Sequence, residues 1–163
     1  MLLCVTRHRL RDLITDNSDE PYAVELAAAL QGQYVETTVQ LADLVRIAMA
    51  LVFKRSMPEE ERTAETKKAL QRTFQALRIE VNDEFGVLDK MLLNLPNCLK
   101  PGGRVAILSF HSGEDRRVKK CFQGGERNGT FSSVAPDPIR ASYEEQRSNP
   151  RSSSAKLRWA VRA

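Results

Sequence analysis

The stretch that most constrains this chain is Lys100 to Phe122, KPGGRVAILSFHSGEDRRVKKCF. Pro101-Gly102-Gly103 predicts a turn, the apolar run Val105 to Phe110 a strand, and the charged periodic segment after His111-Ser112-Gly113 a helix. Strand, loop and helix in that order predict part of an α/β domain. Polar groups then collect at the strand's carboxyl end, where open α/β sheets bind their ligands.

Before this stretch the apolar spacing is helical. Leu10, Leu13 and Ile14 predict a helix over 6–16, with Asn17-Ser18-Asp19 as capping residues. A second helix opens near Pro21, runs to Leu30 and stops at Gly32. Thr37-Thr38 caps a third, over 39–52. Lys54 to Glu65, charged and holding Pro58, reads as a loop or weak helix start. Leu70, Phe74, Leu77 and Val81 predict a long helix over 64–85. Gly86 is expected to break or bend it before a further helical stretch over 87–99, with a new turn or kink at Pro96.

After Phe122, the residues Gly124, Gly125, Asn128 and Gly129 predict a loop. Phe131 to Val134 reads as a short strand. Ser142, with Glu145 three residues on, reads as the start of a short helix, and 148–154 as a polar loop. The last segment alternates: Leu157, Trp159 and Val161 point one way, Lys156, Arg158 and Arg162 the other. That period of two predicts a half-buried strand. The expected organisation is a helical subdomain over 6–95 followed by a small piece of sheet over 96–163.

The chain has 163 residues, 42% hydrophobic and 28% charged, which suits a globular protein of one domain or two small subdomains. No apolar run approaches a membrane span. The apolar start MLLCV is too short for a signal-peptide core and is followed by Arg7 to Arg11, so a cytoplasmic protein is expected. Cys4, Cys98 and Cys121 are scattered, which suggests neither a disulfide framework nor a zinc site. From Lys100 onward there are 13 Lys and Arg against 6 Asp and Glu, a net +7, while residues 1–99 carry a net −3. A basic final third hints at a polyanionic partner.

Several residues could carry chemistry, and each has a structural reading beside the functional one. His111 follows a strand and is either a structural or a site histidine. Ser112 and Asp115 form a capping-box pattern for the helix after the strand. Arg78 and Asn82 share one helix face, which is either solvated or lines a cleft. Arg147, Arg151, Lys156, Arg158 and Arg162 could meet phosphates or serve as the charged face of an edge strand. The sequence contains no GxSxG, no GxGxxG and no GxxxxGK[ST], which argues against a nucleophilic serine and against a phosphate-binding loop.

Three blocks give the chain a family resemblance: TFQALRIEVNDEFGVLDKML (73–92), LKPGGRVAILSFHSGEDRRVKKCF (99–122) and NPRSSSAKLRWAVR (149–162). They resemble, in order and spacing, the MraW/RsmH family of S-adenosylmethionine-dependent methyltransferases, which modify N4 of a cytosine in small-subunit (16S) ribosomal RNA. The segments 16–30 and 37–49 are similar to that family's helical insert. The resemblance implies an α/β fold of class I (Rossmann-like) methyltransferase type, with residues 6 to about 85 as the insert. It makes 104–110 the fifth strand and 156–162 a late antiparallel strand beside it, with the first four strands missing.

It implies ribosomal RNA as partner and S-adenosylmethionine as cofactor of the complete fold. None of the family's cofactor-binding motifs can be placed on this chain, so the chain alone is expected to be inactive and not to bind the cofactor. Residue 113 is Gly where the family typically has Leu, which predicts a looser loop after His111. The implied site comprises Arg78, Asn82, His111, Ser112 and Asp115, with Arg151, Lys156 and Arg158 toward RNA and no metal. An apolar edge on the strand 104–110 is expected to pair with a separate cofactor-binding half or with a second copy. The other readings are a non-catalytic ribosome-binding module and, last, a helical interaction protein.

Overall fold

The structure is a computed structural model that describes residues 2, 4–53 and 57–163. The chain divides into two compact units, Met1–Glu84 and Phe85–Ala163. The division falls at the end of the long helix rather than at 95/96.

The first unit is four helices: α1 (Arg7–Ser18), α2 (Ala23–Leu30), α3 (Thr38–Val52) and α4 (Glu59–Asn82). Helix α1 packs on α2 and α4, and α3 on the same two. Their apolar stripes meet in one core, in which Leu10, Ile14, Leu26, Leu30, Val45, Met49 and Ala76 are fully buried. Helix α3 starts at a capping box: the Gln40 N–H donates to Thr37 Oγ1 and the Thr37 N–H to Gln40 Oε1, which satisfies two otherwise orphaned donors.

Two expected boundaries move. Of the stretch 54–65 read as a loop or weak helix start, 54–56 lie outside the described residues and α4 already begins at Glu59. Glu59, Glu60 and Glu61 occupy its first turn, where carboxylates complement the helix dipole. The chain leaves α4 at Asp83, which is left-handed at φ 49°. Gly86, expected to be the breaker, lies inside the next helix. Asn17-Ser18-Asp19 closes α1: Ser18 Oγ donates to the Ile14 carbonyl and Asp19 is the left-handed cap.

The second unit holds α5 (Glu84–Asn94, from Phe85 on), a 3-10 turn at Leu95–Cys98, β1 (Arg104–Ser109), α6 (Ser112–Arg127), β2 (Phe131–Val134), α7 (Tyr143–Ser148), a second 3-10 turn at Pro150–Ser154 and β3 (Lys156–Arg162). The three strands form one antiparallel sheet in the order β1-β3-β2. The register of β1 on β3 runs from Arg104 opposite Val161 to Ser109 opposite Lys156. The fold is thus α/β, and among the described residues β1 is an outer strand. Helix α6 lies on one sheet face, where Val118, Phe122, Phe131, Val134, Ala160 and Leu92 form the core.

Two expectations are corrected here. Gly124 and Gly125 do not lie in a loop, because α6 continues to Arg127; the turn falls at Asn128 and Gly129, the latter left-handed at φ 78°. A Cβ on Gly125 would stand 2.4 Å from Phe131 Cδ2, so the missing side chain lets the helix sit directly on the ring. The alternation of β3 is present, but its buried side is the charged one. Arg158 and Ala160 are 4% and 0% exposed, whereas Leu157, Trp159 and Val161 are only half-buried on the other face. Among the described residues, no helix is long and apolar enough to cross a membrane.

Candidate functional site at the end of the first strand

Strand β1 delivers its last residues to the start of α6, and the polar groups of the second unit gather there. Ser109 closes the strand at 1% exposure, and its hydroxyl has no hydrogen-bond partner. His111 is the N-cap residue of α6, in extended conformation and with no side-chain capping bond. Both its ring nitrogens are buried and lack a hydrogen bond, although Nε2 stands 3.4 Å from Glu114 Oε1. Buried polar atoms normally find partners, so Ser109 and His111 single out this strand end as the candidate site.

The first turn of α6 holds this loop in shape. The Phe110 N–H donates to Glu114 Oε2 at 2.9 Å, and the Asp115 N–H donates to the His111 carbonyl. The neighbouring His111 lowers the Glu114 carboxyl most strongly; partial burial opposes it, and the Phe110 N–H adds to the lowering. Ser112 is the first helical residue rather than the cap.

Asp115 is the hub of the cluster. Arg158 Nε and Nη2 donate to its two oxygens at 2.7 and 3.3 Å, and Lys156 Nζ lies 3.5 Å away. Burial raises the Asp115 pKa, but Arg158 first and then Lys156 outweigh it, and the net shift is downward. The Asp115 carboxylate therefore does not serve as the second half of a capping box. It ties the first turn of α6 to β3, which no local sequence pattern could indicate, because the partners lie 43 residues apart.

The loop is not loosened by Gly113. A Cβ there would stand 2.5 Å from Phe85 Cζ, so the aromatic ring fills the space a side chain would take. Arg117 stacks on that ring, 3.8 Å from its centroid, and the His111 ring lies 5.8 Å from it.

Other predicted positions separate. Arg78 and Asn82 converge on Glu84: the guanidinium donates to Oε1 and Oε2 at 2.8 and 3.0 Å, and the Asn82 amide to Oε1 at 3.3 Å. They do share a face, and its polar groups are organised by a carboxylate two residues past Asn82. Of the basic set, Arg158 is buried against Asp115 and is not a surface cation. Lys156 leans on the same carboxylate and is half-buried. Arg162 donates to the Thr130 carbonyl at 2.7 Å, while Arg147 and Arg151 are exposed. No group of three His, Cys, Asp or Glu that could hold a metal ion occurs among the described residues.

The chain is 46% identical over 99% of its length to ribosomal RNA small subunit methyltransferase H 1 of Lachnoclostridium phytofermentans, 44% of which it covers. It is 45% identical over 99% to methyltransferase H 2 of Alkaliphilus metalliredigens, covering 46% of that protein. With methyltransferase H 2 of Acholeplasma laidlawii the figures are 47%, 99% and 46%. The chain thus spans less than half the length of the curated relatives it matches. The sequence profile of the MraW methylase family matches residues 2–163, and the chain belongs to that family.

Proposed function

We propose that this chain forms the RNA-facing half of an S-adenosylmethionine-dependent methyltransferase that modifies N4 of a cytosine in small-subunit ribosomal RNA. The observation that carries the reading is the orphaned polar set Ser109 and His111 at the carboxyl end of β1, braced by Asp115 and Arg158, in a chain of the MraW methylase family. The names of the relatives support the same assignment. In this reading the antiparallel β1-β3-β2 sheet is the late part of a Rossmann-like methyltransferase sheet. The outer edge of β1 then receives a separate cofactor-binding half, or failing that a second copy. The helical subdomain belongs to the substrate side, with Arg78 and Asn82 lining it. Location in the cytoplasm follows from the ribosomal substrate.

The residues of this chain do not fit S-adenosylmethionine. The turn from β1 into α6 offers one glycine, Gly113, and the Phe85 ring occupies the space in front of it. The nearest buried carboxylate, Asp115, is engaged by Arg158 and Lys156. The contribution assigned to this chain is positioning: holding the target nucleotide so that its amine is aligned for transfer, an effect that can supply much of a rate enhancement. Ser112 and His111 line that position, and the exposed Arg151 faces the RNA.

The test is reconstitution. The purified chain is mixed with small ribosomal subunits and labelled S-adenosylmethionine, with and without the remaining half of the Lachnoclostridium phytofermentans relative as a separate polypeptide. N4-methylcytidine is then measured by mass spectrometry. Methylation only in the reconstituted mixture is expected. Tight binding of S-adenosylmethionine by this chain alone, read by calorimetry, would overturn the division of labour. The basic net +7 from Lys100 onward favours, as second reading, a non-catalytic ribosome-binding module; it predicts salt-sensitive ribosome binding and no methylation in either mixture.

A further inference from the structure

The face of the sheet opposite α6 carries a feature that the methyl-transfer reading does not use. At the carboxyl end of β1, Leu108 and Phe110 stand 52% and 53% exposed, although Ser109 between them is buried. Leu108 lies opposite Leu157 on β3. Ile139, 54% exposed, is fixed beside Leu157 by a pair of backbone hydrogen bonds of 2.9 Å each. These four apolar side chains floor a cavity of about 530 Å³ whose wall is completed by Arg140, Glu145 and Arg151, among others. Neither Arg140 nor Arg151 has a side-chain hydrogen bond or ion pair among the described residues. The cavity thus combines an aromatic ring open to solvent, an apolar floor and two unpartnered guanidiniums against one carboxylate.

That combination suits a flat, apolar, anionic ligand. A nucleobase has a π-face for the ring whatever its sequence, and its phosphates match free arginines. A paired base in an RNA duplex cannot offer that face, whereas an unpaired one can. We propose that this cavity takes one unpaired ribonucleotide, its base stacked on Phe110 above the Leu108–Leu157–Ile139 floor and its phosphates met by Arg140 and Arg151. The inference deepens the ribosomal RNA reading, since it says which feature of the RNA this chain holds: a single-stranded nucleotide at the strand end.

The experiment uses the full chain and a fluorescein-labelled, unpaired oligocytidylate, read by anisotropy across a salt series. Binding is expected, with little competition from a duplex of equal length. Phe110→Leu keeps an apolar side chain but loses the stacking surface and weakens binding about tenfold, while Phe110→Trp retains it. Arg140→Ala and Arg151→Ala each reduce the slope of log affinity against log salt by about 0.7. Equal competition by duplex, no loss in Phe110→Leu, or no binding of the oligonucleotide would each overturn the proposal. The two readings fail separately. Ribosomal methylation that persists with Phe110→Leu in the reconstituted mixture removes the cavity's role alone, whereas its absence with the unaltered chain removes the methyltransferase reading.

Discussion

Removing the Asp115 carboxylate is expected to cost the second unit about 3–5 kcal/mol, the usual consequence of leaving a buried charge without its partner. Arg158 is 4% exposed and its guanidinium donates to both carboxylate oxygens. It cannot discharge itself by losing a proton. In Asp115→Ala the cation therefore stays under α6 with nothing to accept its hydrogen bonds. The converse change is milder. In Arg158→Met the carboxylate keeps Lys156 at 3.5 Å and a side chain 13% exposed, so a loss of about 1–3 kcal/mol is expected. The chain's one tryptophan, Trp159 on β3, reports on this unit in guanidinium denaturation. The double variant Asp115→Ala/Arg158→Met should lose less than the sum of the two, because the partners share one interaction. Equal losses in the two single variants, or an Asp115→Ala loss within the roughly 0–1 kcal/mol of a surface ion pair, would show that Arg158 is not a buried cation dependent on Asp115.

Three further outcomes can be measured. The pKa of Asp115 is lowered below 3.8 in the folded chain, so the unfolded chain binds more protons there; the stability that Asp115 contributes is complete above its unfolded value and is lost as pH falls through the folded one, and acid titration of Trp159 fluorescence should show that loss reduced in Asp115→Asn. The pKa of Glu20 is raised above 4.5, chiefly by burial at 3% exposure, against the Tyr22 N–H and Arg72; its contribution is present below 4.5 and lost as pH rises through the folded pKa, so Glu20→Gln, which keeps an acceptor for the Tyr22 N–H, should flatten the pH dependence of helix melting by circular dichroism. Gly125→Ala drives a methyl into the Phe131 ring, which is 2% exposed and packed edge-on against Phe122, and should cost about 1–3 kcal/mol in thermal denaturation, less in a Phe131→Leu background.

The helices of the first unit were legible because each buries a stripe at helical spacing: Leu41, Val45 and Ala48 on α3 are buried, and Thr37 caps its start. Strand β1, the turn before it and strand β2 were legible for the same local reason, as was the Ser142 cap, which accepts from the Glu145 N–H at 3.1 Å. What escaped depended on distant partners. Glycines 124 and 125 carry a turn signal in isolation, yet both are helical, and the approach of Phe131 explains the missing side chain at 125. Gly113 read as a loosening substitution because Phe85, 28 positions earlier, could not be known to fill its place. Asn82 and Arg78 were grouped correctly on one face, but Glu84, which organises them, follows a left-handed residue that the helical period does not cover.

Strand β3 shows why an alternating pattern identifies two faces without saying which is covered. Burying Leu157, Trp159 and Val161 would be the default, since burial of apolar side chains is the main favourable term. The chain instead covers the face of Lys156, Arg158 and Ala160, where α6 brings Asp115 to meet the two cations. That arrangement has two consequences at once. The Asp115–Arg158 pair fastens the first turn of α6 to β3, which holds the loop bearing His111 and Ser109 in one geometry. It also turns Ala106, Leu108, Leu157 and Trp159 toward the side opposite α6, joined there by Phe110 and Ile139. An apolar surface of this kind, rimmed by arginines, marks a place for another molecule. The polar strand end and the apolar cavity behind it are therefore products of the same choice of face, and a variant that severs Asp115 from Arg158 should disturb nucleotide binding at Phe110 as well as stability.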